Sequence, residues 1–236
     1  MVARGKRTVV GLAVLMTSCA PLAGGPSIAS EVVSAPGATG EGFGDVTLAI
    51  NGVRGAGESV GSTDVYSLDY AERSSLTLGW GGRRVTNGPG IDLVVFENAF
   101  RVAGGTVTFM DLVVVSVSDD GETFVDFPHD YVAIDESEYS SSAADWPGFA
   151  GRTPVLLNTD GNSVDPFDAA SAGGDGFDLE DLPTDGAAGR LRASGFRYVR
   201  LTTAPSLTNP DTGAPYPRDR ISNGADIDGV VARWLD

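Results

Sequence analysis

The chain has 236 residues, 32 of them glycine and 13 proline, and 32 acidic against 16 basic side chains leave it a net charge of −16. That length suffices for one domain with a full hydrophobic core, while the glycine and proline leave no long uninterrupted helical window. So acidic a surface repels nucleic acid and anionic lipid and attracts cations, and no phosphate loop, dinucleotide fingerprint or basic stripe points elsewhere.

Residues 1–18 read as a signal peptide. Arg4, Lys6 and Arg7 form a basic start, and residues 9–16 an apolar stretch too short to span a bilayer. Met16-Thr17-Ser18-Cys19 resembles the lipobox at which bacterial signal peptidases leave a lipid-modified cysteine, so Cys19 is the expected lipidation site. Secretion with Cys19 cut away is the alternative. Either way the mature protein is expected outside the cytoplasm, in the bacterial cell envelope or secreted, touching membrane only through the anchor. Cys19 is the one cysteine, so no intrachain disulfide supports the fold. Residues 19–40, rich in Ala, Gly, Pro and Ser, read as a flexible tether, and residues 41–236 as a single domain.

Residues 46–50 (VTLAI) alternate like a strand and end at an Asn51-Gly52 turn signal; residues 75–80 (SLTLGW) alternate more clearly. The centre is NGPGIDLVVFENAFRVAGGTVTFMDLVVVSVSDDGETFVDFP, residues 87–128. Its runs Leu93-Val94-Val95-Phe96 and Leu112-Val113-Val114-Val115 are β-branched and aromatic and too short for ordinary helices. Asp119-Asp120-Gly121 signals a tight hairpin, because Asp and Gly tolerate the positive φ such a turn requires. Val113, Val115 and Val117 then share one face. Residues 130–147 form an acidic, Ser-rich loop, either a binding edge or a cover folded back on the core. Residues 158–185 are denser still in Gly and acid, with a short helix expected near 178–182. Strands return at 196–202 and 227–235. The reading is all-β: a β-sandwich, of jelly-roll type, with long loops and little helix.

Two segments resemble discoidin-type and related carbohydrate-binding modules of the galactose-binding-like jelly roll. Residues 113–124 (VVVSVSDDGETF) are similar to a V-x-V-S-x-D-G-x-x-W/F hairpin, and residues 196–201 (FRYVRL) to an A/F-R-Y-V-R-L strand. A wider resemblance covers most of residues 41–236. Residues 87–98 (NGPGIDLVVFEN) look like the NGPGxDFxVFEN signature of a largely uncharacterised family of bacterial cell-surface proteins and lipoproteins. Phe149-Ala150-Gly151, residues 172–179 (AGGDGFDL) and Asp226-Ile227-Asp228-Gly229-Val230 match further blocks in family order. The resemblance implies a fold and a location more than an activity.

The strongest chemical expectation is a structural calcium ion, which takes six to eight oxygen ligands, often from loops that bend around it. Asp92, Glu97 and Asn98 flank the central strand, and Asp226 and Asp228, two apart, would face one side of the last strand. Convergence on one ion or on a buried polar network is expected of Asp92, Glu97, Asp226 and Asp228. The plain alternatives are loop-capping bonds to backbone N–H groups and surface charge. Asn158, Asp160, Asn162 and Asp165 resemble a calcium loop in spacing but lack its closing glutamate. For ligand binding, Tyr131, Tyr139, Trp146 and Tyr216 offer rings for stacking a sugar, with Arg152 and Arg218 as donors, while Trp80 and Trp234 sit in strand patterns and read as core. The functional expectation is an extracytoplasmic module binding a glycan or cell-surface ligand. A structural envelope protein docking to another protein is the alternative, and a hydrolase the remote one. Gly57-Glu58-Ser59-Val60-Gly61 spells a nucleophile elbow, but no amphipathic helix follows it, and His129 is the only base of its kind. No catalytic residue is assigned.

Overall fold

The computed structural model describes residues 27–36, 42–70, 74–101, 105 and 107–236. The expected signal peptide, Cys19 and the first part of the tether lie outside them, and no helix among the described residues is long and apolar enough to cross a membrane.

The described chain is an all-β sandwich. The first sheet runs β10 (Asp175–Phe177), β5 (Leu93–Glu97), β12 (Ala225–Ala232) and β1 (Ser27–Ile28), with β3 (Tyr66–Leu68) also paired to β12. The second runs β2 (Glu31–Ser34), β4 (Ser75–Gly79), β11 (Tyr198–Thr203), β8 (Val113–Ser118) and β9 (Val125–Asp126). A small ribbon joins β6 (Phe100–Arg101) to β7 (Thr108–Phe109), and every pairing is antiparallel.

Period-2 alternation sorts the side chains. Val113, Val115 and Val117 of β8, Leu76 and Leu78 of β4, and Val199 and Leu201 of β11 face Leu93 and Val95 of β5 and Ile227 and Val230 of β12, forming the inter-sheet core. Yet β5 and β8 are buried along their whole length, because loops cover both outer faces. Val114 packs outward against Tyr131, Trp146, Phe149 and Tyr216. Val94, Phe96 and Val231 pack outward against Val155, Leu157 and Ala172. The acidic loop over residues 130–147 is thus a cover.

The β8–β9 hairpin forms at the expected place, with the Asp120 carboxylate accepting the N–H groups of Glu122 and Thr123 at 2.9 and 2.8 Å. Those bonds hold it at about 2.

Two local expectations are corrected, and one helix is unforeseen. Val46–Ile50 is a 3-10 helix: Asp45 accepts a bond from Thr47 N and turns the chain before a strand can start. The helix near 178–182 is a single 3-10 turn, Leu179–Asp181. A real helix, α2 (Gly186–Ser194), follows it unannounced, because its glycines mask the pattern; only Ala188 and Leu191 are buried on it. The short helix α1 (Ala169–Ala172) precedes β10.

Residues 27–34, read as tether, build an edge strand onto each sheet. Ala29 between them is fully enclosed, its N–H bonding Val230 O at 2.8 Å, and Ser30 N bonds Gly79 O at 2.9 Å. The runs of two and four residues are too short to carry a period. A chain starting at residue 36 loses this apolar burial and should be about 2–3 kcal/mol less stable than one starting at residue 27. At roughly 3 °C per kcal/mol, a thermal melt followed by circular dichroism should drop by about 5–10 °C; coincident melts would show that these strands contribute nothing.

Candidate functional site

Strand β5 ends in an acid on each side. Asp92, just before it, is fully enclosed and accepts the N–H groups of Gly88 and Leu179 at 2.9 and 2.8 Å. It ties the Asn-Gly-Pro-Gly turn to the 3-10 turn after β10. Burial pushes its carboxyl up to about 6, against the pull of those two bonds. Glu97, at the far end, is 2% exposed. Its Oε1 accepts Asp226 N at 3.1 Å, and its Oε2 has no partner. Five residues at about 3.3 Å each put ~16 Å between the two positions, so Asp92 and Glu97 cannot share an ion.

Glu97 instead meets acids the sequence reading missed. Asp111, in the turn before β8, holds Tyr70 Oη on one carboxylate oxygen and Ser222 Oγ on the other, the latter at 2.6 Å. Asp226, opening β12, holds Ser67 Oγ, and Asn98 also bonds its side chain. As residues Asp111 and Asp226 are partly buried, but protein crowds their carboxyl groups. Burial raises Asp111 to about 7 against the pull of its two hydroxyl bonds. Burial, then the charges of Asp111 and Asp226, raises Glu97 well above the usual range. Gly151 closes the cluster from above at φ +92°. A Cβ there would stand 2.6 Å from Asp111 O and 3.1 Å from Glu97 Oε2, so any side chain would strike the cluster. Beside it Asp175 is satisfied by the N–H groups of Gly151 and Arg152, by Thr153 Oγ1, and by the Arg152 guanidinium at 3.3 Å.

Asp228 goes elsewhere. The pairing of β12 with β5 slips between Ile227 and Gly229, and this bulge breaks the two-residue period that would set Asp228 beside Asp226. Its Oδ1 accepts Arg54 N at 2.7 Å, its Oδ2 is buried without a partner, and burial raises it to about 7. Asn98 clamps a loop, accepting Ser62 N at 2.7 Å and donating to Ser62 O at 3.1 Å. The calcium-like segment over 158–165 spends its oxygens on itself: Asn158 Oδ1 accepts Asp160 N, Asn162 Oδ1 accepts Asn158 N, and Asp160 pairs with Arg54. Among the described residues no three acidic, histidine or cysteine side chains already surround one point as they would a bound metal.

The aromatic platform does not form as expected. Tyr131 and Trp146 are enclosed and stacked on each other at 3.7 Å, and Phe149 meets Trp146 edge-on. Their polar atoms bond backbone, Tyr131 Oη to Glu138 O and Trp146 Nε1 to Ser140 O. Arg152 is committed to Asp175 and Phe149 O. Trp80 is core as read, whereas Trp234 is half-buried over Gly88. His129 is taken up by Phe127 O and the Phe149 ring.

Arg218 lies between Tyr139 and Tyr216, although Tyr216 is itself 4% exposed and packed on the aromatic core. Two open depressions, about 580 and 610 Å³, lie on either side of Arg218 and Pro217. Tyr70, Tyr216 and Asn223 line one, and Tyr139, Glu138 and Arg220 the other. Arg218 is exposed, stands 4.7 Å over the Tyr70 ring and forms no salt bridge among the described residues. Through Tyr70 and Ser222, Asp111 ties this cleft to the acid cluster. Asp111 could have been suspected as the one acid interrupting the apolar run Phe109-Met110-Asp111-Leu112-Val113; nothing in the sequence marks Tyr70 or Ser222.

No protein-family model matches the chain, and neither a curated protein nor a solved structure is detectably similar to it.

The raised carboxyls fix the sign of a pH effect. Between about pH 4 and 7 the folded protein holds protons on Asp92, Asp111 and Asp228 that the unfolded chain has released, so stability falls as pH rises through that window and levels off above it. In chelator-treated protein the urea midpoint should be higher at pH 5 than at pH 7.5, by roughly 1–3 kcal/mol for each group responsible. Asp228→Asn should flatten part of the slope. A midpoint rising with pH would mean that the fold favours these acids ionised.

Proposed function

We propose that this chain is a binding module of the jelly-roll type, working outside the cytoplasm, that takes a hydroxyl-rich ligand such as a glycan into the cleft divided by Arg218. The observation that supports it is the exposed guanidinium of Arg218, stacked on the Tyr70 ring and in no salt bridge among the described residues, standing between two depressions in an otherwise acidic protein. The first depression offers the Tyr70 ring, backed by the buried Tyr216, and the second the Tyr139 ring, with charged or amide groups as rim, the mixture that orients a polyol. Asp69 and Asn223 border the first, Glu138 and Arg220 the second, so hydroxyls would find donors and acceptors on both sides. The leader read at residues 1–18, with Cys19 as anchor, supports the location.

One observation favours docking to an envelope protein instead. Ile221, on the rim of the second depression, is 82% exposed, and Ile134, on the loop that supplies the same rim, is fully exposed. Large apolar side chains in that position fit a protein partner better than a sugar.

A glycan array with the purified chain tests the first reading. Arg218→Ala should lower affinity for any hit at least tenfold while leaving the melt nearly unchanged, because the side chain is exposed and pairs with no acid among the described residues. Binding insensitive to Arg218→Ala would place the ligand elsewhere. An empty array, with Ile221→Asp abolishing capture of an envelope protein, would favour the second reading.

A further inference from the structure

Among the described residues, Glu97 Oε2 is one of two buried carboxylate oxygens without a hydrogen-bond partner. It is enclosed, receives no hydrogen bond, and faces the region shared by Asp111, Asp226 and the Gly151 backbone. A buried carboxylate oxygen left unpaired costs several kcal/mol unless a proton or a cation meets it. Apart from the Asp226 N–H on Glu97 Oε1 and the Asn98 amide on Asp226, the polar groups around it present oxygen for coordination: the carboxylates of Glu97, Asp111 and Asp226, the hydroxyls of Ser67, Tyr70 and Ser222, and the Asp111 carbonyl. Among the described residues no arginine is bonded to Glu97, Asp111 or Asp226, whereas Asp175 alongside already has Arg152.

We propose that Glu97, Asp111 and Asp226 hold a divalent cation beneath Gly151, and that the ion is calcium. An all-oxygen set without imidazole or thiolate selects a hard cation. Irregular spacing across four chain segments suits calcium's flexible six-to-eight coordination better than the strict octahedron of magnesium. Asp111 accepts the hydroxyls of Tyr70 and Ser222, and Asp226 that of Ser67, so these hydroxyls would serve as further ligands or hold the ligating carboxylates. Because Tyr70 walls the cleft and carries Arg218 over its ring, the ion would set the position of that wall. Asp92 and Asp228 take no part. The ion site stands independently of the cleft's ligand, since its test involves no glycan.

The full chain, stripped with chelator and dialysed, is titrated with calcium chloride in a calorimeter at pH 7.5 and melted with and without the ion, with magnesium as control. Elemental analysis of the protein before stripping detects an ion that never leaves. One calcium per chain is expected, with a melting temperature raised by about 5 °C or more at saturation and a much smaller response to magnesium. Glu97→Gln, which keeps the shape and removes the charge, should abolish the calcium shift; Asp226→Asn should do the same if Glu97→Gln fails to fold. Asp228→Asn, removing the other unpartnered buried acid, should leave it intact. No calcium bound or retained by the wild-type chain overturns the proposal. So does a shift that survives both cluster variants, or one that Asp228→Asn alone removes.

Discussion

The fold depends on a strand that can leave the core only through its ends. Every residue of β5 is buried, with apolar side chains committed to a core on each face, so the chain emerges through Asp92 on one side and Glu97 on the other. An acid at such an exit does what an apolar residue cannot: it accepts N–H groups from segments that have no sheet partner of their own. Asp92 gathers the turn before β5 and the turn after β10, and Glu97 gathers the start of β12. The difference between them is satisfaction. Asp92 has a donor on each oxygen, and Glu97 has one on a single oxygen, which is why the first junction is structural and the second is chemically interesting.

What could be read in the sequence follows from the range of the interactions involved. β4, β8, β11 and the Asp-Gly hairpin are local patterns of period two closed by local turn chemistry, and all four stand where the residues put them. β1 and β2 are too short to show a period and exist because β12 and β4 have free edges. α2 has two glycines and only two buried side chains, and is held partly by Arg192 reaching back to the carbonyls of Glu180 and Leu182. At the acid cluster, Glu97 and Asp226 were legible because they bound strand patterns. Asp228 failed because a bulge cannot be seen in alternation. Asp111, Tyr70 and Ser222 come from three separate loops, and no spacing rule links them. Tyr131 and Trp146 of the 130–147 loop looked like binding residues because acid and serine surround them; tertiary packing buried their rings and left Tyr139 half-exposed.

Four segments singled out in the sequence meet at these two junctions. Asn-Gly-Pro-Gly and Asp92 join Leu179 of the Gly-Gly-Asp-Gly-Phe-Asp-Leu block, while Glu97, Gly151, Asp175 and Asp226 bring all four blocks to one end of the first sheet. Residues dispersed over some 140 positions thus meet in space. Gly151 makes a close backbone approach there, and Asp92, Glu97 and Asp175 accept backbone N–H groups.

The crossing of residues 27–34 from one sheet to the other has a mechanical side. β1 lies against β12 and β2 against β4, joined through the enclosed Ala29, so one strap of chain is stitched to both layers at the edge. Tension entering from the N-terminal direction would be divided between two ladders and resisted by the packing between layers, instead of unzipping a single sheet. Were the chain held to a surface by that end, the sandwich would hang from both of its layers at once.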